Sequence, residues 1–174
     1  MNTTLFFNLL LLSCLLLVNP SKCDNISYIC YKTQDPKFCK STLGSVPSAK
    51  TATTTELELI TLNLTGVSVV ATNNKIQALL SETIDPNLQA LLTQCGYDYK
   101  DALINLEQAT NYLNDKKFVE LAFTSGCISN DGITCESSFQ KGGVNSPLTK
   151  ENNDLSSFAN IIQVIAHILA GGAL

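Results

Sequence analysis

Cys30, Cys39, Cys95 and Cys135 stand behind an apolar leader in a sequence with one histidine and no tryptophan. That distribution suits structural disulfides in a secreted domain better than a metal or redox centre, because disulfides persist in oxidising compartments. The leader sets the compartment. Leu5 to Val18 is almost wholly apolar, is too short to span a bilayer, and is followed by small and polar residues. Residues 1–23 therefore read as a cleaved signal peptide, with cleavage after Ser21 as the alternative to cleavage after Cys23. Residues 24–174 remain, about the length of one domain with a proper core.

Charge narrows the partners. Loss of Lys22 leaves ten lysines against 15 acidic residues, a formal charge of about −5. Nucleic acid is excluded as an expected partner by that sign. No second long apolar run follows the leader, so no membrane partner is expected after cleavage. Arginine is absent, and with it the planar fork that grips phosphates or carboxylates bidentately. Two sequons, Asn25-Ile26-Ser27 and Asn63-Leu64-Thr65, offer glycan acceptors, whereas at Asn145 Pro147 stands where a sequon needs Ser or Thr.

The periodicity is helical. No proline interrupts Thr53 to Thr83, and Leu57, Ile60, Leu64, Val67 and Ala71 recur every three or four residues, predicting a long amphipathic helix with those residues inward. Asp85-Pro86 supplies a cap and a first-turn proline for a second helix, whose seam runs from Leu88 through Leu92, Cys95, Tyr99, Ala102, Leu106 and Ala109 to Leu113. A third begins near Asp115 and resumes through Thr134 to Phe139, with Gly126 and Gly132 obscuring its middle. The last starts near Thr149 and runs through Leu155, Phe158, Ile162, Ile165 and Leu169. Short connections between four such helices predict an all-α, up-and-down four-helix bundle over residues 50–174. Ahead of it, residues 24–44 form a helical hairpin turning near Asp35-Pro36.

Four cysteines allow three pairings. Cys30 with Cys39 would close the hairpin, and Cys95 with Cys135 would tie the second bundle helix to the third. Cys127 is then odd: a buried free thiol, a dimer-forming thiol, or a partner for Cys23. Catalysis finds little support, since the only imidazole, His167, lies among Ile, Val and Leu, and no nucleophile elbow, zinc motif, P-loop or dinucleotide fingerprint occurs. No cofactor or metal is expected. Asp98 and Asp101, three apart, could share a helix face as a contact site or as plain solvated surface.

The cysteine pair at 30 and 39, the segment Cys95-Gly-Tyr-Asp-Tyr-Lys-Asp-Ala-Leu103, the segment Thr134-Cys-Glu-Ser-Ser-Phe139 and the stretch Ser146-Pro-Leu-Thr-Lys-Glu-Asn152 resemble the plant invertase and pectin methylesterase inhibitor family, including its pollen-allergen branch. The similarity spans essentially the whole mature chain. It implies a secreted cell-wall protein, without turnover of its own, that covers the active-site cleft of a carbohydrate-active enzyme. In the esterase-directed branch the second and third bundle helices cross the cleft with polar and acidic side chains. Asp101 and Thr134 match that surface, while Tyr97, Ile104 and Ser137 stand where that branch often has carboxylates. In the invertase-directed branch an Asp-Pro-Lys-Phe sequence opens the third helix. Here Asp115-Lys116-Lys117-Phe118 occupies the place, with lysine for proline. Asp35-Pro36-Lys37-Phe38 repeats the full tetrapeptide in the hairpin, where the family does not place this function. The resemblance thus favours pectin methylesterase over acid invertase as partner. A small extracellular lipid carrier is the alternative of another class, disfavoured by cysteines that are not densely clustered.

Overall fold

The computed structural model describes residues 25–172, so the expected leader and the proposed cleavage sites lie outside the described residues. Six helices follow one another: α1 (Asn25–Tyr31), α2 (Pro36–Gly44), α3 (Thr54–Glu82), α4 (Pro86–Asn114), α5 (Phe118–Lys141) and α6 (Thr149–Leu169), with a 3-10 turn at Pro47–Thr51 between α2 and α3. No strand occurs among the described residues. Helices α3 to α6 form the up-and-down bundle, in which α3 packs on α4 and α6, and α5 packs on α4 and α6. No helix among the described residues is long and apolar enough to cross a membrane.

Local signals set the helix starts. Asp35 Oδ1 accepts from the backbone N–H groups of Lys37 (3.1 Å) and Phe38 (2.9 Å), with Pro36 in the first turn. The complete Asp-Pro-Lys-Phe copy is therefore a helix N-terminus, and Phe38 meets Phe158 of α6 edge to face at 5.0 Å. Thr53 and Glu56 form a reciprocal capping box at α3, and Asp85 caps α4. Thr149 does not cap α6. Its hydroxyl donates to Glu136 Oε1 at 2.8 Å, and Ser146 Oγ accepts from the Leu148 N–H.

Two disulfides staple the elements, Cys30 to Cys39 across the hairpin and Cys95 to Cys135 between α4 and α5. Two apolar clusters fill the interior. Ile29, Leu43, Leu57, Ile161 and Ile165 seat the hairpin against α3 and α6. Leu62, Ile76, Leu92, Tyr99, Leu121, Ile128, Phe139, Leu155 and Ile162 belong to the bundle core. Tyr99 donates to Asn152 Oδ1 at 3.0 Å, and Asn152 Nδ2 reaches Oε2 of the half-buried Glu136 at 2.7 Å, so one polar chain joins α4, α6 and α5 from the core to its edge.

Helix α3 departs from its periodic reading. Its buried residues are Leu57, Glu58, Thr61, Leu62, Thr65, Val69, Thr72 and Ile76, whereas Val67 and Ala71 are exposed. Threonine can face inward because its hydroxyl is satisfied within the helix: Thr61 and Thr65 each donate to the carbonyl four residues earlier at 2.7 Å. With apolar residues almost all round, the helix gave no single stripe to read. In α5 the obscure middle is continuous helix. Gly132 permits a close crossing there, because a β-carbon would come within 3.1 Å of the Asn152 carbonyl oxygen on α6.

Candidate functional site

The Cys95–Cys135 bond places α4 and α5 in register, and their outward edges form an open groove of about 660 Å³. Asp101, Ile104 and Asn105 line it from α4; Phe123, Gly126, Cys127, Asn130 and Asp131 line it from α5. Ile104 and Phe123 are 63% and 78% exposed, far beyond what core residues at helical spacing would show. Val119, one turn before Phe123, is 72% exposed and extends the apolar edge. The arrangement is a polar and acidic rim beside exposed apolar side chains.

The rim is electrostatically coupled. Asn105 Nδ2 donates to Asp131 Oδ2 at 2.9 Å and fastens the two helices at the groove. Burial raises the Asp131 carboxyl, the Asn105 hydrogen bond opposes this, and the charges of Asp101 and Asp98 add to it, pushing its pKa up to about 6. Asp98 is only 7% exposed, accepts from Gln94 at 3.0 Å, and leaves its second oxygen without a hydrogen-bond partner among the described residues. Burial is the main reason its carboxyl is raised. Asp98 thus offers a partner little surface, while its neighbour Asp101 is exposed. No group of His, Cys, Asp and Glu that could hold a metal ion occurs among the described residues.

Thr134 lies one turn beyond Asn130, half-buried on α5, and accepts a long 3.4 Å contact from Asn130 Nδ2. The cationic candidates sit at the other end, in the α4–α5 turn. Lys116 and Lys117 are exposed, and Lys117 Nζ pairs with Asp115 at 3.1 Å. Phe118 packs against the bundle core. Lys116 has φ 58°, a left-handed conformation closed to proline. The proline of the Asp-Pro-Lys-Phe pattern could not stand there without rebuilding the turn. His167 is half-buried in the last turn of α6 and lines none of the groove.

The sequence reading missed Asn105, Phe123, Cys127 and Asp131 as groove residues. A signal existed: Val119 and Phe123 lie four apart on the side of α5 away from its buried Leu121, Ala122 and Ile128. For the sequons, Asn25 is exposed with Nδ2 donating to the Ala52 carbonyl at 3.2 Å, and Asn63 is exposed on α3.

The family model for plant invertase/pectin methylesterase inhibitors matches residues 24–165. The chain belongs to that family. Its members are enzyme inhibitors, so the chain is an inhibitor-family protein and not an enzyme, with an enzyme as its protein partner. A pectinesterase inhibitor of Actinidia deliciosa is 29% identical over 98% of this chain and 96% of its own length. A Platanus acerifolia protein named "Putative invertase inhibitor" is 31% identical over 94% of this chain and 93% of its own. The bundle with its hairpin matches the crystal structure of a mutant form of a pectin methylesterase inhibitor from Arabidopsis with a TM-score of 0.73, at 24% identity, over 83% of this chain and 97% of that one.

Proposed function

We propose that the chain is a secreted, apoplastic inhibitor whose α4–α5 face covers the active-site cleft of a plant cell-wall carbohydrate-active enzyme, and that pectin methylesterase rather than acid invertase is the target. The observation that carries this reading is the groove itself, where Asp101 is exposed on a hydrogen-bonding rim beside the apolar anchors Ile104 and Phe123. Such a face supplies a desolvated centre and polar pairing at its edge. The residues that would serve an invertase are differently disposed, since Phe118 packs against the core and the backbone at Lys116 excludes proline.

Invertase remains the second reading on one observation, the exposed Lys117 at the mouth of the α4–α5 turn, which could present a cation to the carboxylates of a glycosidase. Titration of a pectin methylesterase and a cell-wall invertase in parallel with the purified mature protein tests the choice. Inhibition of the esterase at a lower inhibitor concentration supports the proposal; inhibition of invertase alone reverses it; inhibition of neither rejects both.

A further inference from the structure

Helix α3 carries an apolar stripe that no other element among the described residues covers. Leu59, Val67 and Val70 are 42%, 69% and 48% exposed. At 100° per residue they fall within an arc of roughly 80°, and Asn63 falls inside the same arc, four residues from Leu59 and four from Val67. Asn63 is the acceptor of the Asn63-Leu64-Thr65 sequon and is exposed, and its side chain makes no hydrogen bond among the described residues. Gly66, beside it, faces open space. A sequon in the centre of the stripe is therefore surrounded by the aliphatic side chains that a secreted monomer would otherwise leave to water.

We infer that Asn63 carries an N-linked oligosaccharide whose first sugars lie over Leu59, Val67 and Val70, keeping α3 from self-association and reserving the α4–α5 face for the enzyme. This inference rests on the secretion reading given above. Attachment breaks one Nδ2–H bond of Asn63 and the C1–O bond of a polyisoprenyl-diphosphate oligosaccharide, forms the Nδ2–C1 bond, and releases the lipid diphosphate with the proton. The sugars supply apolar faces and N-acetyl methyl groups inward and hydroxyls outward. Because a helical side chain leans toward the preceding turn, the first sugar on Asn63 lies over Leu59 while Val67 leans down against it. Thr65 is fully buried, with its hydroxyl donating to the Thr61 carbonyl at 2.7 Å. A transferase must read that hydroxyl, so attachment precedes the folding of α3. None of the groove residues belongs to α3, so the oligosaccharide leaves inhibition unobstructed.

The test is expression of the full chain, leader included, in a plant secretory host, with Asn63→Gln and Thr65→Val as two ways of removing the sequon. Thr65→Val leaves the stripe and Asn63 intact and keeps the buried volume. Glycopeptide mass spectrometry of the secreted wild type should find Asn63 modified. Both variants, at unchanged far-ultraviolet dichroism and melting temperature, should bind anilinonaphthalene sulfonate several-fold more strongly and self-associate at lower concentration in light scattering. Val67→Lys with Val70→Lys on the Asn63→Gln background should restore the monomer. Recovery of a secreted, leader-free chain with Asn63 unmodified overturns the proposal while leaving the secretion reading intact; a chain retained in the cell with its leader overturns both. Modified Asn63 with unchanged dye binding and association in the variants overturns the covering role. A glycosylated wild type that forms a discrete dimer abolished by Val67→Lys assigns the stripe to a second copy instead.

Discussion

Asn105 Nδ2 stands 2.9 Å from Asp131 Oδ2, so a neutral amide of α4 and a half-buried carboxylate of α5 meet on the wall of the contact groove. The pairing joins two functions. It fastens the helices at the face proposed to contact the enzyme, and it places a carboxyl whose pKa is pushed up to about 6 where such a contact would exclude water.

Asp131 should titrate near about 6 in a carbon-13 carboxyl NMR experiment. Asp101→Asn, which removes a neighbouring charge, should lower the midpoint, and Asn105→Leu, which removes the hydrogen bond to the charged form, should raise it. A folded value above the unfolded one means that the stabilising contribution is complete below the ordinary aspartate range and is lost as pH rises through about 6. Asp131→Asn should flatten that part of the stability profile. Inhibition should strengthen from pH 7 to pH 5 in the wild type, because a neutral Asp131 is easier to desolvate, and should change less in the variant.

Glu58 supplies a second pH dependence, from the α3 core. It is fully buried, and neither carboxylate oxygen has a hydrogen-bond partner among the described residues. Burial alone holds it well above the ordinary glutamate range, with no neighbouring charge contributing. The folded state therefore keeps its proton while the unfolded chain ionises above about 4.3, so stability falls as pH rises beyond that value. Glu58→Met should stabilise the protein at pH 7 by about 1 to 3 kcal/mol, the usual penalty for an unsatisfied buried polar group, and by less at pH 4. Thermal melts at the two pH values measure it; a destabilised variant at pH 7 would mean that the carboxylate has a partner.

Lys116 tests the turn that replaces the invertase-type pattern. At φ 58° a side chain with a β-carbon is strained by roughly 1 to 2 kcal/mol relative to glycine. Lys116→Gly should therefore raise the melting temperature, and Lys116→Pro should lower it by disrupting the start of α5. A Lys116→Pro variant that is more stable and a better invertase inhibitor would show that the turn rearranges readily.

The two kinds of cysteine should separate in stability. Replacing Cys95 and Cys135 by serine opens a loop of 40 residues, which the chain-entropy model values at about 4 kcal/mol. Cys127 has no disulfide partner among the described residues and is half-buried on the groove wall, so Cys127→Ser should cost much less. Equal losses in chemical denaturation would expose an unrecognised partner for Cys127.

What could be read in the sequence follows from which physical signal dominated locally. Helices α4 and α6 were legible because apolar spacing was clean and, in α4, Asp85 and Pro86 marked the start. The buried face of α3 was not, because Thr61, Thr65 and Thr72 satisfy their hydroxyls within the helix and so replace apolar residues at no polar cost. The middle of α5 was obscured by Gly132, whose purpose is a tertiary contact with α6 that no local pattern records. Asp101 and Thr134 were named through resemblance; Asp101 lines the groove, and Thr134 lies on α5 one turn beyond Asn130, outside the lining. Phe123 was overlooked because Gly126 and Gly132 hid the continuity of α5, so the spacing that sets Val119 and Phe123 opposite its buried residues was not followed.

The decisive comparison sets two patches of one molecule against two enzymes. Asp101→Ala with Thr134→Ala removes one hydrogen-bonding group from the groove and one from α5 beyond it, and Phe123→Ala removes the groove's exposed aromatic. If an esterase cleft is covered there, the first pair should weaken inhibition by about 1 to 3 kcal/mol, the cost of leaving buried partners unpaired. Phe123→Ala should weaken it comparably if the ring fills a pocket in the target. Lys117→Ala should then matter little, since its ammonium already pairs with Asp115 in an exposed bridge of small value. Phe118→Ala is expected to lower stability as well, because that ring packs on the bundle core, so it must be read against a melting curve. If invertase is the target, the order reverses, with Lys117→Ala dominant. Inhibition constants that move by less than about twofold in every variant, well under 1 kcal/mol, would reject both interface assignments. The family assignment would stand, and the contact face would have to be sought elsewhere on the bundle.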